Sequence, residues 1–527
     1  MNLDYKKIQA LSTPEILENP LVVYLLEVCK QQSEMLSEFK EENRRLKNHP
    51  PKPNIKPSRV EAPNNKPLAG KRPGSEKRKK TDKLEISKVE IIEAEGVCPD
   101  WKFKGYSNYV VQEIIIKPYN IRYRLKRYLT PEGKYVKAQL PTEVQGSHFG
   151  AELRKFVLYQ YYNCYVTEPI LLVQLRELGI DISAGQLNNL LIKDHDQFHA
   201  EKEGLLRRGL ELCPYIQSDD TGSRHAGKNG YCTVICNDFF TYFKSGESKS
   251  RINFLKLLRT SDRTDYHINE YALSYFQQQK LPLKYQGLLK SSAPCQFPDE
   301  QTWNDHLERL GVKAEHAVRV ATEGALLGSI IENVANTNLA ILSDDAGQFN
   351  ILFHALCWVH AERHIQKVHC FTPQQEEILE TKLDGFWQLY QDLKAYKENP
   401  SIDKKRELNI RFDEVFRPDT DFWALNQTLE KIVKNKDELL LVLERPEIPL
   451  HNNTSERDIR EYVKRRKISG STRSDSGKEC RDTFLSLKKT CLKLGYRFWE
   501  YLDDRIKNEN KIPNLSDIMT VKLTSTF

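Results

Sequence analysis

The 527-residue chain contains no run of 18 consecutive apolar residues, and its mean hydropathy is −0.62. A membrane-spanning helix is therefore not expected. The first residues, MNLDYKKIQALSTPEILENP, lack the apolar stretch and small-residue cleavage site of a secretory leader. Cysteine is sparse and odd in number, 11 in all, scattered without a paired framework. That pattern points to reduced thiols and a cytoplasmic protein rather than a disulfide scaffold. There is no internal repeat, and composition excludes collagen-like and wholly disordered classes. Charge of one sign is also nearly lacking: 80 Lys and Arg against 73 Asp and Glu leave a net of +7. What remains is a chain long enough for three or four domains with a sizeable core.

The small net charge is concentrated in one place. Residues 51–83 carry 11 basic and 3 acidic side chains, a net of +8, so the other residues sum to −1. The same segment holds six prolines and almost nothing apolar. It is expected to be a disordered, extended basic linker spanning 49–83, either a phosphate-tracking arm on DNA or a solvated tether.

Before the linker, residues 1–48 hold an apolar heptad pattern. Val22, Cys29, Leu36 and Asn43 fall at a, and Leu25, Gln32, Phe39 and Leu46 at d. The pattern predicts an N-terminal coiled coil and a homodimer or higher oligomer, the alternative being one amphipathic helix packed on its own domain. Residues 84–145 read as β-rich, through KVEIIEAE, VVQEIIIKPY and IRYRLKRYL. In 146–205 the period turns helical: one helix ends at Gly179, and the next opens at Ser183 with Gln186 in capping-box spacing. Helix, turn, helix is either a packing unit or a DNA-reading motif that places Gln186, Asn188 and Asn189 near a major groove.

From residue 206 short apolar strands interleave with helices. CPYIQSDD ends in Asp219-Asp220, and NLAILSDDAGQF ends in Asp344-Asp345. GYCTVICND and FFTYFKS read as a β-hairpin joined through Asn237-Asp238, and KSSAPCQFPDE reads as irregular. Residues 371–450 are almost wholly helical, and NNTSERDIREYVKRRK then opens a helix with Glu456 in its first turn. The pattern is an α/β core, 206–370 and 451–527, interrupted by an α-helical insertion. Carboxylates at two strand ends and on a helix can together hold two Mg²⁺ ions, a pair suited to phosphodiester chemistry. Singly, such residues also cap turns and helices.

Four groups of residues carry a resemblance. They are Asp219-Asp220-Thr221, Ser343-Asp344-Asp345, Cys357-Trp358-Val359-His360 and Asn452-Asn453-Thr454-Ser455-Glu456-Arg457, the last running on through IREYVKRRKISGSTRSDSG. In these the chain resembles the insertion-sequence-66 family of DDE transposases. The resemblance implies a ribonuclease-H-like catalytic core, with Asp219, Asp344 and Glu456 as catalytic and metal-binding residues for two Mg²⁺, Mn²⁺ being able to substitute. It implies a bacterial, nucleoid-associated enzyme that cuts the ends of an insertion sequence and joins the 3′ ends to target DNA, with accessory proteins of the same element as further partners. It also implies that Cys357 and His360 order the core without zinc. Asn452 and Asn453 are expected to cap and orient the Glu456 helix, and Arg457, Lys464, Arg465, Arg466 and Lys467 to contact the DNA backbone.

The chain departs from the family in its first motif and in its zinc module, and the irregular stretch from about 281 to 310 has no counterpart in the family. Its motif reads Asp-Asp-Thr where members carry Asp-Glu-Thr, which keeps the first Asp. Of the four-Cys zinc module that members carry after the linker, only Cys98-Pro99 remains, so zinc is not expected there. Cys232 and Cys236, four apart in a strand, face one side and are expected to pack in the core. Two other classes fit the residues: a DNA-binding relic or regulator that has lost the chemistry, and a ribonuclease-H-like nuclease that cuts without joining.

Overall fold

The computed structural model describes residues 19–46, 84–96, 99–141, 147–333, 336 and 338–526. The basic linker and Cys98 lie outside the described residues. The described residues divide into two compact units, 24–119 in one and 19–23 with 120–526 in the other. The heptad segment is helical from Pro20 to Leu46 (α1). After it, the described residues from 84 to 119 form no helix or strand.

The β-rich expectation for 84–145 is thus corrected. Its only strands among the described residues are β1 (Arg127–Leu129) and β2 (Tyr135–Lys137), a three-residue antiparallel ladder whose side chains are all exposed. Ile92, Tyr109, Ile114 and Tyr119 have strong strand propensity but stand more than four-fifths exposed. Propensity of that kind is realised only when a neighbouring strand and a buried face are available, and here neither is.

In the second unit, helices α2 (Ala151–Leu158), α3 (Glu168–Glu177), α4 (Ala184–Ile192) and α5 (Asp196–Leu212) follow. Gly179 takes a left-handed φ of 83° after α3, as its position past the helix end requires. Ser183 and Gln186 form a reciprocal capping box: Ser183 Oγ accepts from the Gln186 N–H at 3.2 Å, and Gln186 Oε1 from the Ser183 N–H at 2.9 Å. Leu171, Leu175, Leu187 and Leu191 point from this helical pair into the main core.

The centre is a five-stranded mixed sheet of β3 (Tyr215–His225), β4 (Lys228–Cys236), β5 (Thr241–Gly246), β8 (Ala340–Ser343) and β9 (Phe353–Leu356). Its order is β5-β4-β3-β8-β9, antiparallel among the first three strands and parallel from β3 to β9. The β3–β4 turn is Ala226-Gly227, both at positive φ, the twist that a tight hairpin needs. At the β4–β5 turn Asn237 Oδ1 accepts the N–H groups of Phe239 and Phe240.

Between β5 and β8 lie α6 (Arg251–Leu258), β6 (Tyr266–Ile268), α7 (Glu270–Gln278), α8 (Leu283–Lys290), β7 (Cys295–Phe297), α9 (Glu300–Arg309) and α10 (Glu315–Asn333). The stretch read as irregular therefore contains a strand, β7, paired antiparallel with β6. After β9 come α11 (Trp358–Gln366), α12 (Pro373–Glu398), α13 (Ile402–Val415), α14 (Trp423–Lys434) and α15 (Lys436–Leu439). This helical block has its own apolar core, built on Trp358, Phe386, Leu393, Phe412 and Phe416. The chain closes with α16 (Asn453–Ser469), α17 (Asp475–Leu494), α18 (Phe498–Lys507) and α19 (Leu515–Thr526).

Strand alternation assigns the two faces of the sheet. Ile216, Ile235, Tyr242 and Ile341 enter the main core. Cys232, Val234, Cys236 and Phe243 face the other way, onto Ile459 and Tyr462 of α16 and Leu485 of α17. Asp219 pairs across the ladder with Val234, so it shares the face on which α16 lies. No helix among the described residues is long and apolar enough to cross a membrane.

Candidate active site

Asp219 sits in the middle of β3, and the parallel register pairs Gln217 with Leu342. Continuing that register by two residues sets Asp219 level with Asp344, the first residue beyond β8. Burial is the main reason that the Asp219 carboxyl is pushed up to about 7. The Asp220 N–H, donating to Asp219 Oδ1 at 2.7 Å, opposes that shift. The charges of Asp344, Asp220 and Glu456 add to it, so Asp219 feels both of the other expected site carboxylates. Asp220 is a separate group. It accepts from the Thr233 hydroxyl and from Gln348 Nε2 at 2.8 Å, and burial raises its carboxyl. Asp345 is exposed and accepts from Asn435 Nδ2 at 3.5 Å.

Glu456 stands in the first turn of α16. Its Oε1 takes Arg363 Nη1 at 3.2 Å, and its Oε2 takes Arg460 Nη2 at 3.3 Å. His360 Nε2 lies 3.5 Å from the same carboxylate, but it accepts from Arg363 at 3.2 Å and burial lowers its pKa. Both facts describe a neutral imidazole at neutral pH, so the His360–Glu456 approach is not an ion pair.

The strand ends around these carboxylates are cross-linked. The Cys357 N–H donates to the Ser343 carbonyl at 3.0 Å, and the Trp358 N–H to the Leu450 carbonyl at 2.9 Å. Cys357 Sγ accepts the Asn452 N–H at 3.5 Å, and burial raises this thiol. Cys357 is thus a buried link between the β9 end and the α16 start. Ser343 Oγ meets His354 Nε2 at 2.9 Å, and His354 Nδ1 lies 3.6 Å from Glu438 of the helical block.

Several expected site residues stand elsewhere or otherwise. Neither Asn452 nor Asn453 caps α16 through its side chain; the Asn452 amide is buried with no hydrogen-bond partner among the described residues. Arg465 is 1% exposed, stacked on the Tyr161 ring and donating to the Tyr161 carbonyl at 2.7 Å, so a DNA-backbone contact by Arg465 is corrected. The i+3 and i+4 spacing of a helix turns one residue of a basic run inward whatever its charge. Arg466 is half-buried and donates to the Gly222 carbonyl. Arg457, Lys464 and Lys467 are exposed. Gln186 and Asn189 are exposed on α4, Gln186 through its own capping box, while Asn188 donates to Glu168 at 3.3 Å. Cys232 and Cys236 are fully buried, as their alternation predicts.

The sequence reading missed Gln217, Arg363 and Arg460. Period-two alternation from Asp219 points to Gln217, and helical spacing from His360 and Glu456 points to the two arginines. The donor chemistry here, three carboxylates whose repulsion helps to raise Asp219, fits a hard divalent cation. As the side chains stand, no group of three or more His, Cys, Asp or Glu among the described residues is gathered to hold a metal ion. Arg363 and Arg460 both pair with Glu456.

Two similarities bear on this geometry. The family model described as "Transposase IS66 family" matches residues 328–480, the span from α10 through Asp344 and the helical block to Glu456 and α17. "Uncharacterized protein y4jO" of Sinorhizobium fredii (strain NBRC 101917 / NGR234) is 42% identical over 304 residues, covering 57% of this chain and 94% of that protein. The late carboxylate helix and the strand end before it, which carried the resemblance in sequence, fall inside the matched span, and the chain belongs to the IS66 family of transposases.

Proposed function

We propose that this chain is a DDE transposase, cutting the ends of an insertion sequence and joining the 3′ ends to target DNA. The observation that carries the reading is the β3–β8 register, which when continued brings Asp219 level with Asp344, together with the charge of Glu456, at the start of α16, acting on Asp219. The strand order, three antiparallel strands followed by two parallel ones, supports a ribonuclease-H-like core. Asp219, Asp344 and Glu456 would hold two Mg²⁺, or Mn²⁺ in their place. Such ions, when bound, activate an attacking water or hydroxyl and stabilise the leaving oxygen of a phosphodiester.

The chain's own residues supply the rest. The β3–β8 register sets Asp219 beside Asp344. Cys357 and Trp358 tie the strand ends to the start of α16 and so order the core. Arg363 and Arg460 pair with the Glu456 carboxylate and place cationic charge where phosphates approach. Lys464 and Lys467, exposed farther along α16, extend that charge along the backbone of bound DNA. Self-association through α1, assistance from proteins of the same element, and a cytoplasmic, nucleoid-associated location complete the proposal.

The test is cleavage and strand transfer by the full chain on DNA carrying the element's ends, with Mg²⁺ added or withheld. Asp219→Asn, Asp344→Asn and Glu456→Gln are each expected to fall to background in both steps while still binding DNA. Activity surviving all three substitutions would overturn the carboxylate mechanism. Cutting without joining would favour a nuclease, and binding without either step a relic.

A further inference from the structure

The N-terminus of α16 is capped from outside the helix. The first turn of a helix leaves N–H groups without intrahelical partners, and the side chain at the capping position usually takes those at the second and third residues. Here those are the N–H groups of Thr454 and Ser455, and both donate at 3.2 Å to Oε1 of Gln217. Gln217 lies 237 and 238 residues away, in β3, two residues before Asp219 and on the same face. It is 1% exposed. Asn452, which occupies the capping position, makes no such bond.

A second tie secures the far part of the helix. Arg466 donates to the Gly222 carbonyl and lies 3.5 Å from Thr221 Oγ1. A Cβ on Gly222 would stand 3.4 Å from the guanidinium, so glycine leaves this approach open. The two ties are commensurate. Five residues of strand, 217 to 222, span about 17 Å. The eleven or twelve residues of helix from 454 or 455 to 466 span roughly the same length. The helix is therefore fixed along β3 at two matched points, and Glu456 follows directly on the two residues that Gln217 holds.

We infer that Gln217 is a positioning residue for the carboxylate site: its side-chain oxygen sets the place of Glu456 relative to Asp219, and with it the affinity for divalent cations. The inference rests on the transposase reading, and it assigns Gln217 no contact with substrate. Two residues of strand place Asp219 about 7 Å from Gln217, so each carboxylate is referred to the same side chain. Loss of the acceptor frees the first turn of α16 while leaving the apolar contacts of Ile459 and Tyr462 in place.

The experiment compares full-length wild type with Gln217→Met, which keeps length and volume without the acceptor, and with Gln217→Glu, which restores an acceptor oxygen at the same reach. Mn²⁺ binding is measured by calorimetry, thermal unfolding alongside it, and Mg²⁺-dependent cleavage of element-end DNA last. Gln217→Met is expected to bind Mn²⁺ about 10- to 100-fold more weakly, with cleavage slowed to match, as loss of a supporting partner does at metal sites. Its unfolding transition stays cooperative, and Gln217→Glu recovers most of both losses. If Gln217→Met loses its cooperative transition, the comparison passes to Gln217→Asn, which keeps an amide but ends one methylene short. Wild-type affinity and rate in Gln217→Met, or no recovery in Gln217→Glu, would overturn the inference. A wild type that neither binds Mn²⁺ nor cleaves would bring down the transposase mechanism, and this inference with it; an active wild type matched by an active Gln217→Met removes the inference alone.

Discussion

At the scale of single residues, burial decides what each ionisable group can do. His195 is 2% exposed, donates Nε2–H to the Leu190 carbonyl at 3.1 Å, and lies edge-on to Phe484 and Phe198. Burial is the chief reason that its pKa is lowered to about 4 from 6.5. The unfolded chain therefore takes up a proton that the folded chain refuses. Stability contributed by the neutral ring is complete above pH 6.5 and declines as pH falls toward 4, below which both states are protonated. Between pH 7 and pH 5 this one residue should cost about 2 kcal/mol. Denaturant midpoints of wild type and His195→Gln across that range check it: the wild type should lose stability more steeply, and parallel curves would contradict it. The same logic, applied to Asp219, explains why a carboxyl pushed up to about 7 belongs beside other carboxylates rather than in a structural ion pair.

At the scale of elements, α16 is a polar helix that is nonetheless buried along one side, and charge does much of the anchoring. Asp458 is 2% exposed and meets Lys489 at 3.0 Å, Lys493 at 2.5 Å and the Thr241 hydroxyl at 2.6 Å. Glu461 meets Lys488 at 2.5 Å and the hydroxyl of Tyr165. Removing one partner from a buried pair leaves the other charge uncompensated, so Asp458→Asn should cost about 3 kcal/mol or more. Exposed charges such as Arg460 should cost far less when neutralised. Urea unfolding of Asp458→Asn and Arg460→Gln gives the comparison, and equal losses would show that α16 is held by its apolar contacts alone. These ties also mark where sequence reading stops. The helices Glu168–Glu177 and Ala184–Ile192, the Ser183–Gln186 capping box and the β4–β5 hairpin were legible, because periodicity and turn chemistry are local properties. Strands of three residues, β6 and β7, have no period to read, and Ile- and Tyr-rich 84–126 has propensity without a partner surface. At the site Asp344 was legible as a strand-end acid and Glu456 as a helix-start acid, whereas Asp219, expected at a strand end, stands in the middle of β3, which runs on to His225. Their supports were not, since Gln217 and Thr454 lie 237 residues apart and only the folded sheet brings them together.

At the scale of the whole molecule, charge is distributed so that the positive excess lies outside the enzyme-like body. Residues 51–83 hold a net of +8 while all others sum to −1. The body still offers exposed cations near its carboxylates, on Arg457, Arg460, Lys464 and Lys467. Two sources of DNA attraction are thereby separable, a sequence-distant arm and a local rim beside the site. Binding to a polyanion releases counterions in proportion to the phosphates neutralised, so the salt dependence counts contacts. Full-length protein in which Lys71, Arg72, Lys77, Arg78, Lys79 and Lys80 are replaced by Gln keeps α1 and the carboxylates intact. If the arm tracks DNA, the log–log slope of affinity against salt should fall by as much as about 5. Affinity should drop most at low salt, and Mg²⁺-dependent cleavage at saturating DNA should persist, because no residue of the carboxylate cluster has changed. Replacing Lys464 and Lys467 by Gln makes the opposite test: a slope reduced by about 2 at most, but a loss of cleavage that saturating DNA does not restore. Fluorescence anisotropy over a salt series, with cleavage measured in parallel, separates the two. An unchanged slope in the six-residue variant would mean that the basic segment is a tether, and that the cations of α16 carry the attraction by themselves.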